Sequence, residues 1–501
     1  MRTLLAFAVA LALPGLAHAE TYRVGTSASA GYRQLDELPT LIPGDIVELE
    51  GDTTYEGGIR FDDPGSEAMP IIVRGVGAGA RPRIEGGDNT IEAAGNHYVF
   101  ENLDITGGAR RCFFHHAHDI TIRDSVVHDC PRQGILGADN DSGSILLERV
   151  EVHHCGGGDR DHQIYMATDE VAYPGSVFRM QFCWIHDGNG GNNVKSRAER
   201  NEIYSNWLEG AYYHELELIG PDPSGGIDEG EAREDSDVVG NVFIKSGDNA
   251  AFPVVRFGGD GTGQSLGRYR FAFNTVIVAP DSSSAVFRLF SGLESVEMHS
   301  NVFAMRGGGP VNLLREVEAE WTSGRAVAGT NNWVSTGSTN VPPEWTGTIT
   351  GDDPGLTEID DLGALDPSPA GETSPVVDMG LTPPPVFAGH AFDRPMDRPA
   401  DSPVRGPGRV TRPVVGSIDI GAYEFGSGPP PTDGGPQNAD AGPTPEIDAG
   451  PGVDAAGPGV DAGTSAPPSD GCGCRVAAPS ARGPVALLLL GAALVLRRRR
   501  R

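Results

Sequence analysis

Short segments in which apolar and polar residues alternate recur along the chain between residues 97 and 305. An alternation with a period of two predicts β-strands, and repetition at intervals of 22 to 35 residues predicts a stacked repeat. We expect an all-β parallel solenoid, with parallel strands from about 70 to 305. The aligned segments are HYVFENLDITGG, DITIRDSVVHDC, SILLERVEVHHC, VFRMQFCWIHDG, RNEIYSNWLEGA, SDVVGNVFIKSG, RYRFAFNTVIVA and SVEMHSNVFAM.

One marker position in each segment predicts a turn that repeats from rung to rung. In the later segments this position is always asparagine, and stacked asparagines pass hydrogen bonds between rungs about 4.8 Å apart. We therefore interpret the four asparagines as a structural ladder in one vertical column. The markers are Leu103, Ser125, Val150, Cys183, Asn206, Asn241, Asn274 and Asn301.

A second column lies three residues after the markers and contains His128, His153, His186 and then Glu209. A row of histidines permits a metal site, but side chains in line do not converge on a tetrahedron, so a stacked polar ladder is the preferred interpretation. Cys130 and Cys155 also share a column, where either a disulfide or two stacked free thiols would fit.

A second strand follows each marker by about 10 to 12 residues. The segments are QGILGA, HQIYMA, NNVKSR, HELELI, PVVRFG and AVFRLF, and their centres are Ile135, Ile164, Val194, Leu216, Val255 and Phe287. If these apolar centres point inward, strand alternation sends both neighbours of each centre outward. One predicted outward column is Gly134, Gln163, Asn193, Glu215 and Val254, and the other is Leu136, Tyr165, Lys195, Glu217, Arg256 and Arg288.

The opening and closing segments resemble those of the pectin-lyase-like superfamily. LIPGDIVELEGDTTYEGGIRF and PIIVRGVG are similar to the start of these secreted proteins, and SPVVDMG and DIGAYEF are similar to their end. The resemblance covers about residues 20–426 and implies a right-handed parallel β-helix over 20–340, with a closing region over 341–426. A fold of this kind does not by itself define a function.

The two ends of the chain predict export and attachment. Residues 1–19 have the basic, apolar and small-residue parts of a signal peptide. Residues 427–471 are rich in Pro, Gly, Asp and Ala and predict a disordered stalk. Residues 472–501 join the cysteines of the motif Gly471-Cys472-Gly473-Cys474 to 13 apolar residues and five arginines, and resemble a myxobacterial C-terminal sorting tail.

The apolar tail segment would form a helix of about 20 Å, shorter than a hydrocarbon core of about 30 Å. A processed tail is therefore preferred over an ordinary membrane anchor. We expect a protein at the cell surface or outer membrane, or one that is secreted after the tail is removed.

Charge adds a constraint on the partner. The chain has 38 Lys and Arg residues against 69 Asp and Glu residues, a net charge of −31. Like charges repel at long range, so nucleic acid is not an expected partner, and a polyanionic substrate would need local compensation. Only two of the 38 basic residues are lysines, Lys195 and Lys245.

The segment KSRAERNEIYSN around Lys195 resembles that of the chondroitinase B and alginate lyase family of β-helix polysaccharide lyases. Ser196, Asn201 and Asn206 match the family in residue type. The resemblance implies that the lysine acts as a base, that an arginine one rung later assists, and that calcium binds the uronate carboxylate. Here the interval from Lys to Asn is two residues longer, the family's Arg-His-Gly is absent, and Glu217 occupies the next rung.

We therefore expect an extracellular polysaccharide as the partner and β-elimination as the reaction, in which a base removes the proton next to a neutralised uronate carboxylate. The candidate catalytic residues are Lys195, Arg256, Tyr165 and Glu217. The candidate substrate-binding residues are Gln163, Asn193, Arg288, His162 and His214. The candidate ligands for Ca²⁺, which favours oxygen, are Glu215, Glu217 and Asn193.

Several alternatives remain at this point. Lys195 and Glu217 would also make an ordinary surface ion pair, which contributes about 0–1 kcal/mol, and His162 and His214 would also fit turn packing. A β-helix that only binds glycans, as an adhesin does, needs no catalytic group. A glycoside hydrolase needs two carboxylates about 5–10 Å apart, and Glu215 and Glu217 would lie about 6.6 Å apart along one strand face.

Overall fold

The chain winds into a coil of parallel β-strands, and each full turn adds one strand to each of three sheets. The structure is a computed structural model that describes residues 18–220, 234–246, 252–259, 264–280, 284–317, 321–396 and 398–427. The predicted signal peptide up to residue 17, most of the stalk and the whole sorting tail lie outside the described residues. In the part that is described, no helix is long and apolar enough to span a membrane.

The strands are short, mostly three to five residues each, and a single 3₁₀ turn, Leu35–Glu37, precedes the second of them. In chain order they are β1 Thr21–Val24, β2 Ile46–Glu50, β3 Thr54–Glu56, β4 Ile59–Phe61, β5 Ile71–Val76, β6 Arg83–Glu85, β7 Asn89–Ala93, β8 Tyr98–Glu101, β9 Asp104–Thr106, β10 Arg111–His115, β11 Ile120–Arg123, β12 Val126–His128 and β13 Ile135–Gly137. They continue as β14 Ile145–Glu148, β15 Glu151–His153, β16 Ile164–Ala167, β17 Val177–Gln181, β18 Trp184–His186, β19 Val194–Arg197, β20 Arg200–Tyr204, β21 Trp207–Glu209, β22 Leu216–Ile219, β23 Asp235–Val239, β24 Val242–Lys245, β25 Val255–Gly258 and β26 Arg268–Ala272. The last are β27 Thr275–Val278, β28 Ala285–Leu289, β29 Ser295–His299, β30 Val302–Met305, β31 Asn312–Glu316, β32 Val327–Thr330, β33 Trp333–Ser335, β34 Ile349–Gly351, β35 Leu356–Glu358, β36 Asp366–Pro369, β37 Asp401–Pro403 and β38 Arg409–Thr411.

The three large sheets are parallel throughout, which confirms the predicted all-β parallel β-helix. Sheet A has 12 strands from β1 to β32, sheet B has 12 strands from β3 to β34, and sheet C has 10 strands from β4 to β31. Along the chain, a strand of sheet A is followed by one of sheet B and then one of sheet C, as in β20, β21 and β22. The stack runs from Thr21 to Gly351, further in both directions than the 70 to 305 that the repeated segments predicted.

From β8 onward, a two-residue turn connects each described strand of sheet A to the next strand of sheet B. Its first residue has a positive φ, for example 51° at Ser205, 56° at Phe273 and 54° at Ser300, and its second residue is the predicted marker. Because a left-handed residue bends the chain sharply, the marker side chain turns inward and can reach the neighbouring rung.

The asparagine ladder is confirmed and is one rung longer than predicted. Each Oδ1 accepts the backbone N–H of the preceding marker, at 2.8 Å from Asn241 to Asn206 and 2.9 Å from Asn301 to Asn274. Asn332, which the sequence comparison missed, continues the column with an N–H···O distance of 3.0 Å from Asn301. The four predicted asparagines are completely buried, as a structural role requires.

The histidine column is a stack of rings on the outer side of sheet B. The ring centres of His128 and His153 are 5.0 Å apart, and those of His153 and His186 are 5.1 Å apart. The outer two rings bind carboxylates, with 2.8 Å between His128 and Asp104. Rings that stack in line and bind carboxylates form the polar ladder that the sequence predicted, and not the convergent arrangement of a metal centre.

The cysteine pairing differs from the expectation. Cys130 forms a disulfide with Cys112, with a Cα–Cα distance of 5.8 Å, while Cys155 and Cys183 are buried free thiols. Cys112 lies on β10, and Cys130 follows β12 in the next turn of the coil, so the bond joins two adjacent turns.

The closing region packs along the outside of sheets A and B. Its two hairpins, β35–β36 and β37–β38, are the antiparallel pairs among the described strands. Ser205 donates to the carbonyl of Asp401 at 2.9 Å, and Gly421 N–H donates to the carbonyl of Ser300 at 2.9 Å. Sheet C is left uncovered by these contacts, and its outer face carries the candidate site.

Candidate functional site

The candidate site lies on the outer face of sheet C, where one side-chain column crosses five consecutive rungs. Tyr165 pairs in register with Lys195, Lys195 with Glu217, Glu217 with Arg256, and Arg256 with Arg288. This is the order that the sequence alignment predicted. Strands β16, β19, β22, β25 and β28 hold these side chains, so a rigid sheet fixes their spacing.

The column forms one wall of a cleft of about 350 Å³, within the size range of small-ligand sites. The residues that line the cleft are Asp159, Arg160, His162, Tyr165, Asn192, Lys195, Arg197, Tyr213, His214, Glu217, Phe252, Arg256 and Arg288. All four candidate catalytic residues therefore share one opening with three of the five candidate substrate-binding residues.

Glu217 lies between the two cations of the column. Arg256 Nη1 donates to Glu217 Oε1 at 2.6 Å, and Lys195 Nζ lies 3.8 Å from Oε2. Burial raises the pKa of the Glu217 carboxyl, but the charges of Lys195 and Arg256 outweigh it and hold the net pKa well below the usual range. Glu217 is therefore a permanent anion that orients the cations, and it cannot supply a proton at neutral pH.

The aromatic groups of the cleft are in contact with its cations. Lys195 Nζ lies 5.2 Å from the ring centre of Tyr165, whose hydroxyl accepts a hydrogen bond from Arg197 Nε at 2.8 Å. The guanidinium groups of Arg256 and Arg288 lie 4.3 Å and 4.5 Å from the ring centre of Phe290. Cation–π contact of this kind orients a charged group without neutralising it.

His162 and His214 flank the column at the start of their rungs, and both rings are almost completely buried. Asn192 N–H donates to His162 Nδ1 at 2.9 Å, while His214 Nδ1 lies 2.7 Å from the carbonyl oxygen of Pro253. Burial lowers the pKa of His162 to about 3 and that of His214 to about 4. Both imidazoles are neutral at pH 7.

The second predicted outward column is wrong, because Gln163, Asn193 and Glu215 are completely enclosed. Gln163 Nε2 donates to Asn193 Oδ1 at 2.7 Å, and Asn193 Nδ2 donates to Glu215 Oε2 at 2.6 Å. These residues precede the first strand residues Ile164, Val194 and Leu216, so they belong to the bend between sheets B and C. Strand alternation does not apply in a bend, and the three side chains fill its inner corner.

Glu215 ends this enclosed chain of hydrogen bonds at the second lysine. Its Oε1 lies 3.7 Å from Nζ of Lys245, whose side chain is also completely buried and donates to the carbonyl of Tyr213. Burial raises the pKa of Glu215 and lowers that of Lys245. The pair therefore supports the segment that carries Tyr213 and His214 into the cleft.

The predicted calcium ligands do not form a common site. Asn193 and Glu215 bind each other inside the bend, whereas Glu217 faces the cleft and binds Arg256. In the described ranges, no group of three or more His, Cys, Asp or Glu side chains is arranged to hold a metal ion. The same separation removes Glu215 and Glu217 as the two carboxylates of a glycoside hydrolase.

Asn192 is a central cleft residue that the sequence interpretation did not include. Besides its bond to His162, its Oδ1 accepts the N–H of His214 at 3.0 Å and its Nδ2 donates to Glu217 Oε2 at 2.5 Å. A signal was present, because the aligned strands begin with His162, Asn192 and His214 in one column. The loop residues Arg160, Tyr213 and Phe252 gave no such periodic signal.

The other residues that resemble the lyase segment serve the interior. Ser196, Asn201 and Asn206 are all completely buried. Asn201 Nδ2 donates to Ser236 Oγ at 3.1 Å, and Asn206 belongs to the ladder. Of the four matched positions, only Lys195 faces the cleft.

A second cavity, of about 490 Å³, lies between sheet A and residues 394–401. Its charged groups bind each other: Glu202 accepts from Arg179 at 2.7 Å, and Asp237 accepts from Arg270 at 2.6 Å. Both pairs lie within the coil, and Arg394 of the closing region adds an ion pair to Glu202 at 3.5 Å. The carboxylates of this cavity are therefore taken up by arginines of the fold, and the cleft on sheet C is the candidate site.

No protein-family model and no curated protein matches the chain. Solved structures with a similar course of the backbone include pectate lyase Pel9A, at 12% identity and a TM-score of 0.49, over 82% of this chain and 97% of that one. An alginate lyase from Paenibacillus sp. str. FPU-7 has 16% identity and a TM-score of 0.39, over 60% of this chain and 99% of that one. A lacto-N-biosidase from Eubacterium ramulus has 13% identity and a TM-score of 0.36, over 62% and 68% of the two chains.

At these identities and TM-scores the likeness gives no information about activity. The fold rests on the strand pairing described above, and any function has to be argued from the cleft.

Proposed function

We propose that this protein is a polysaccharide lyase that cleaves uronate-containing glycans by β-elimination in the cleft on sheet C. The observation that carries the proposal is the charge of the cleft. Five of its lining residues are basic and two are acidic, in a chain with 38 basic and 69 acidic residues. A local excess of cations around one opening is suited to a carboxylate-bearing ligand.

The arrangement of the cations fits the chemical requirement of this reaction. The proton next to a carboxylate becomes removable when the negative charge that develops on the carboxylate is stabilised. Lys195 and Arg256 lie two rungs apart on a rigid sheet, on either side of Glu217, and both are paired with its carboxylate. Two cations that meet on one internal carboxylate are also placed to meet one sugar carboxylate. In this proposal the charges of Lys195 and Arg256 stabilise the carboxylate.

The first test is direct. The full-length protein should be incubated with a panel of uronate polymers while the absorbance of the unsaturated product is followed. We expect at least one polymer to be cleaved. Lys195→Ala should reduce turnover by about 10²–10⁴-fold, the range for loss of a group that acts on the transition state.

Arg60→Ala is the matched control, because Arg60 is a cation on sheet C that pairs with Glu92 outside the cleft. Its turnover should equal that of the wild type. Full activity of the Lys195→Ala variant on a cleaved polymer would contradict a role for Lys195 in the reaction.

A binding protein without activity is the second candidate, and the ion pairs of Glu217 favour it. Because Glu217 already neutralises part of the charge of Lys195 and Arg256, the cleft is also suited to reversible binding of an anionic glycan. Retention of a uronate polymer on the immobilised protein without any unsaturated product would decide for this function.

The disulfide between Cys112 and Cys130 supports an oxidising compartment. This fits the export that residues 1–19 predict, and we include a location outside the cytoplasm, at the cell surface or secreted, in the proposal.

A further inference from the structure

The two imidazoles of the cleft are held in opposite tautomers by backbone groups. A carbonyl oxygen can only accept a hydrogen bond, so the contact with Pro253 places the ring hydrogen of His214 on Nδ1. A backbone N–H can only donate, so the contact with Asn192 makes Nδ1 of His162 an acceptor and places the hydrogen on Nε2. The neutral rings therefore present different Nε2 atoms, a lone pair on His214 and an N–H on His162.

Both Nε2 atoms are available to a ligand in the cleft. Both histidines line the cleft and keep 5% and 6% of their surface exposed, and no described residue forms a hydrogen bond with either Nε2. Nδ1 of each ring is fixed to the backbone. Nε2 is therefore the ring nitrogen that remains for a ligand.

Asn192 fixes the distance and orientation between the two rings. The register places His162, Asn192 and His214 at equivalent positions of three successive rungs, so the two histidines are roughly 10 Å apart. The backbone N–H of Asn192 binds one ring and its side chain binds the backbone of the other histidine residue. Its remaining amide hydrogen bond to Glu217 links the histidines to the cation pair.

The charges that surround His214 keep its lone pair available near neutral pH. Burial lowers the pKa of the imidazole most, and Lys245 and Arg256 lower it further, whereas Glu217 and the carbonyl of Pro253 act in the opposite direction. His162 faces the same cleft but is itself neutral. The base form of His214 therefore persists over the range in which an ordinary histidine gains a proton.

Lys195 has a different place in the cleft. Its Nζ lies 3.8 Å from Oε2 of Glu217 and 5.2 Å from the ring centre of Tyr165. From this position the side chain can exchange the carboxylate of Glu217 for that of a sugar.

We propose that Nε2 of His214, rather than Lys195, removes the proton from the sugar, and that Lys195 and Arg256 bind the carboxylate; this assignment rests on the proposed lyase function. His214 Nε2 takes the proton from the carbon next to the carboxylate. The electron pair of that C–H bond forms the new carbon–carbon double bond, and the bond to the glycosidic oxygen breaks. The departing oxygen receives the proton from the imidazolium of His214, and the Nε2–H of His162 supplies a hydrogen bond without giving up its proton.

The kinetic test compares His214→Gln with Lys195→Arg in the full chain, on whichever uronate polymer the wild type cleaves. Glutamine can still donate to the carbonyl of Pro253 but has no basic nitrogen, so kcat should fall by about 10²–10⁴-fold. Lys195→Arg keeps the charge, so its kcat should stay within about tenfold of the wild type while KM changes. His116→Gln, on sheet C but four rungs away and bound to Glu92, is the control with unchanged kinetics.

The pH profile separates the two bases. With His214 as the base, activity on the acid side should fall only below about pH 5, because the pKa of its imidazole is lowered to about 4. With a lysine base, activity should rise above pH 8, because an ordinary lysine has a pKa of about 10.4. The assignment is overturned if activity is already lost on the acid side at pH values above 8. It is also overturned if the His214→Gln variant keeps more than a tenth of the wild-type kcat.

A measurement without substrate tests the structural basis. Long-range ¹⁵N–¹H spectra of histidine-labelled full-length protein at pH 7 should give an Nδ1–H tautomer for His214 and an Nε2–H tautomer for His162. Any other pair of tautomers overturns the proposal whether or not the protein is active. If the wild type forms no unsaturated product from any uronate polymer, the lyase function itself fails; if it does and His214→Gln remains active, only the assignment of the base fails.

Discussion

At the scale of single residues, both lysines of the chain lie at the candidate site. Both lysines of the chain belong to the same region: Lys195 faces the cleft, and Lys245 is enclosed behind it against Glu215. A lysine carries its charge on one compact group, whereas an arginine needs room for a planar fork. The enclosed corner behind Tyr213 has room for the compact ammonium group of Lys245. This explains why a lysine stands there in a chain whose other buried cations are arginines.

Replacing Glu217 should change both the stability of the fold and the affinity of the cleft for a carboxylate ligand. Replacement with glutamine removes the anion from two adjacent cations. Because a partner is removed from a largely buried ion pair, we expect the free energy of unfolding to fall by about 3 kcal/mol. A uronate oligosaccharide should then bind more tightly, since no internal carboxylate competes for Lys195 and Arg256. Urea unfolding and titration calorimetry measure the two effects.

Glu92→Gln is the matched control for this variant. Glu92 is also a carboxylate on sheet C paired with an arginine, Arg60, but lies outside the cleft. Its oligosaccharide affinity should equal that of the wild type. Weaker binding by the Glu217→Gln variant would contradict the competition and give Glu217 a direct role toward the sugar.

The sequence predicted which side chains form the outward column on sheet C, but not which side chains fill the bend between sheets B and C. Lys195, Glu217 and Arg256 follow inward-pointing centres within strands, where alternation holds. Asn193 and Glu215 lie one residue before their strands begin, and only the structure shows where the strand starts. Asn192 was missed for a related reason, because an amide between two histidines has no distinctive chemistry until its hydrogen bonds are known.

At the scale of the elements, the stability of the coil depends on whether the buried polar groups in each turn have hydrogen-bond partners. A β-helix has no long-range sheet closure, so each rung contacts only its neighbours and every bend must satisfy its own donors and acceptors. The asparagine ladder performs this function between sheets A and B.

Asn241→Ala tests the ladder from its middle. The change leaves the N–H of Asn206 and the carbonyl of Ile203 without the partners that they have at 2.8 Å and 2.9 Å. Buried unpaired groups cost about 1–3 kcal/mol each, so the free energy of unfolding should fall by about 3 kcal/mol. The midpoint of urea unfolding measures the loss.

Asn189→Ala is the control, because Asn189 is exposed and its side chain makes one bond, at 2.8 Å, to the carbonyl of His154. Its midpoint should change by less than the equivalent of about 0.5 kcal/mol. Equal losses for the two variants would mean that the ladder contributes no more than a surface contact.

The regular strands were predictable from period-two alternation, and the outer rungs and the disulfide were not. β3 and β4 have three residues each, too few to establish a period. Cys112 pairs with Cys130 across one turn of the coil, and that pairing depends on the length of a loop whose course has no sequence signature.

At the scale of the whole molecule, buried histidines make the fold sensitive to acid. Burial lowers the pKa of His115 and His214 to about 4 and that of His162 to about 3. A lowered pKa means that the unfolded chain binds protons first, so this stability is fully present above about pH 6.5 and is lost as the pH falls toward 4. His128, whose pKa is raised by its bond to Asp104, and the carboxyls of Glu170, Glu199 and Glu215, whose pKa values burial raises, act in the opposite direction and offset part of this loss.

We therefore expect the free energy of unfolding to fall between pH 7 and pH 5, by about 2 kcal/mol for each completely buried histidine. Urea unfolding across this range is the measurement. His115→Phe, outside the cleft, should reduce the fall by about 2 kcal/mol. An equal change in stability from pH 7 to pH 5 for the wild type and for His115→Phe would show that this ring is not held neutral in the fold.

The scarcity of lysine also makes the cleft chemically addressable. A mild amine-directed reagent, such as formaldehyde with a borohydride, should methylate the terminal amine and Lys195 but not Lys245. The side chain of Lys195 is 14% exposed, whereas that of Lys245 is 0% exposed. Isotope-labelled methyl groups would then give a spectrum with a single signal from the binding surface. Occupancy of the cleft could be followed through this one reporter in the unaltered sequence, with no need to remove competing lysines.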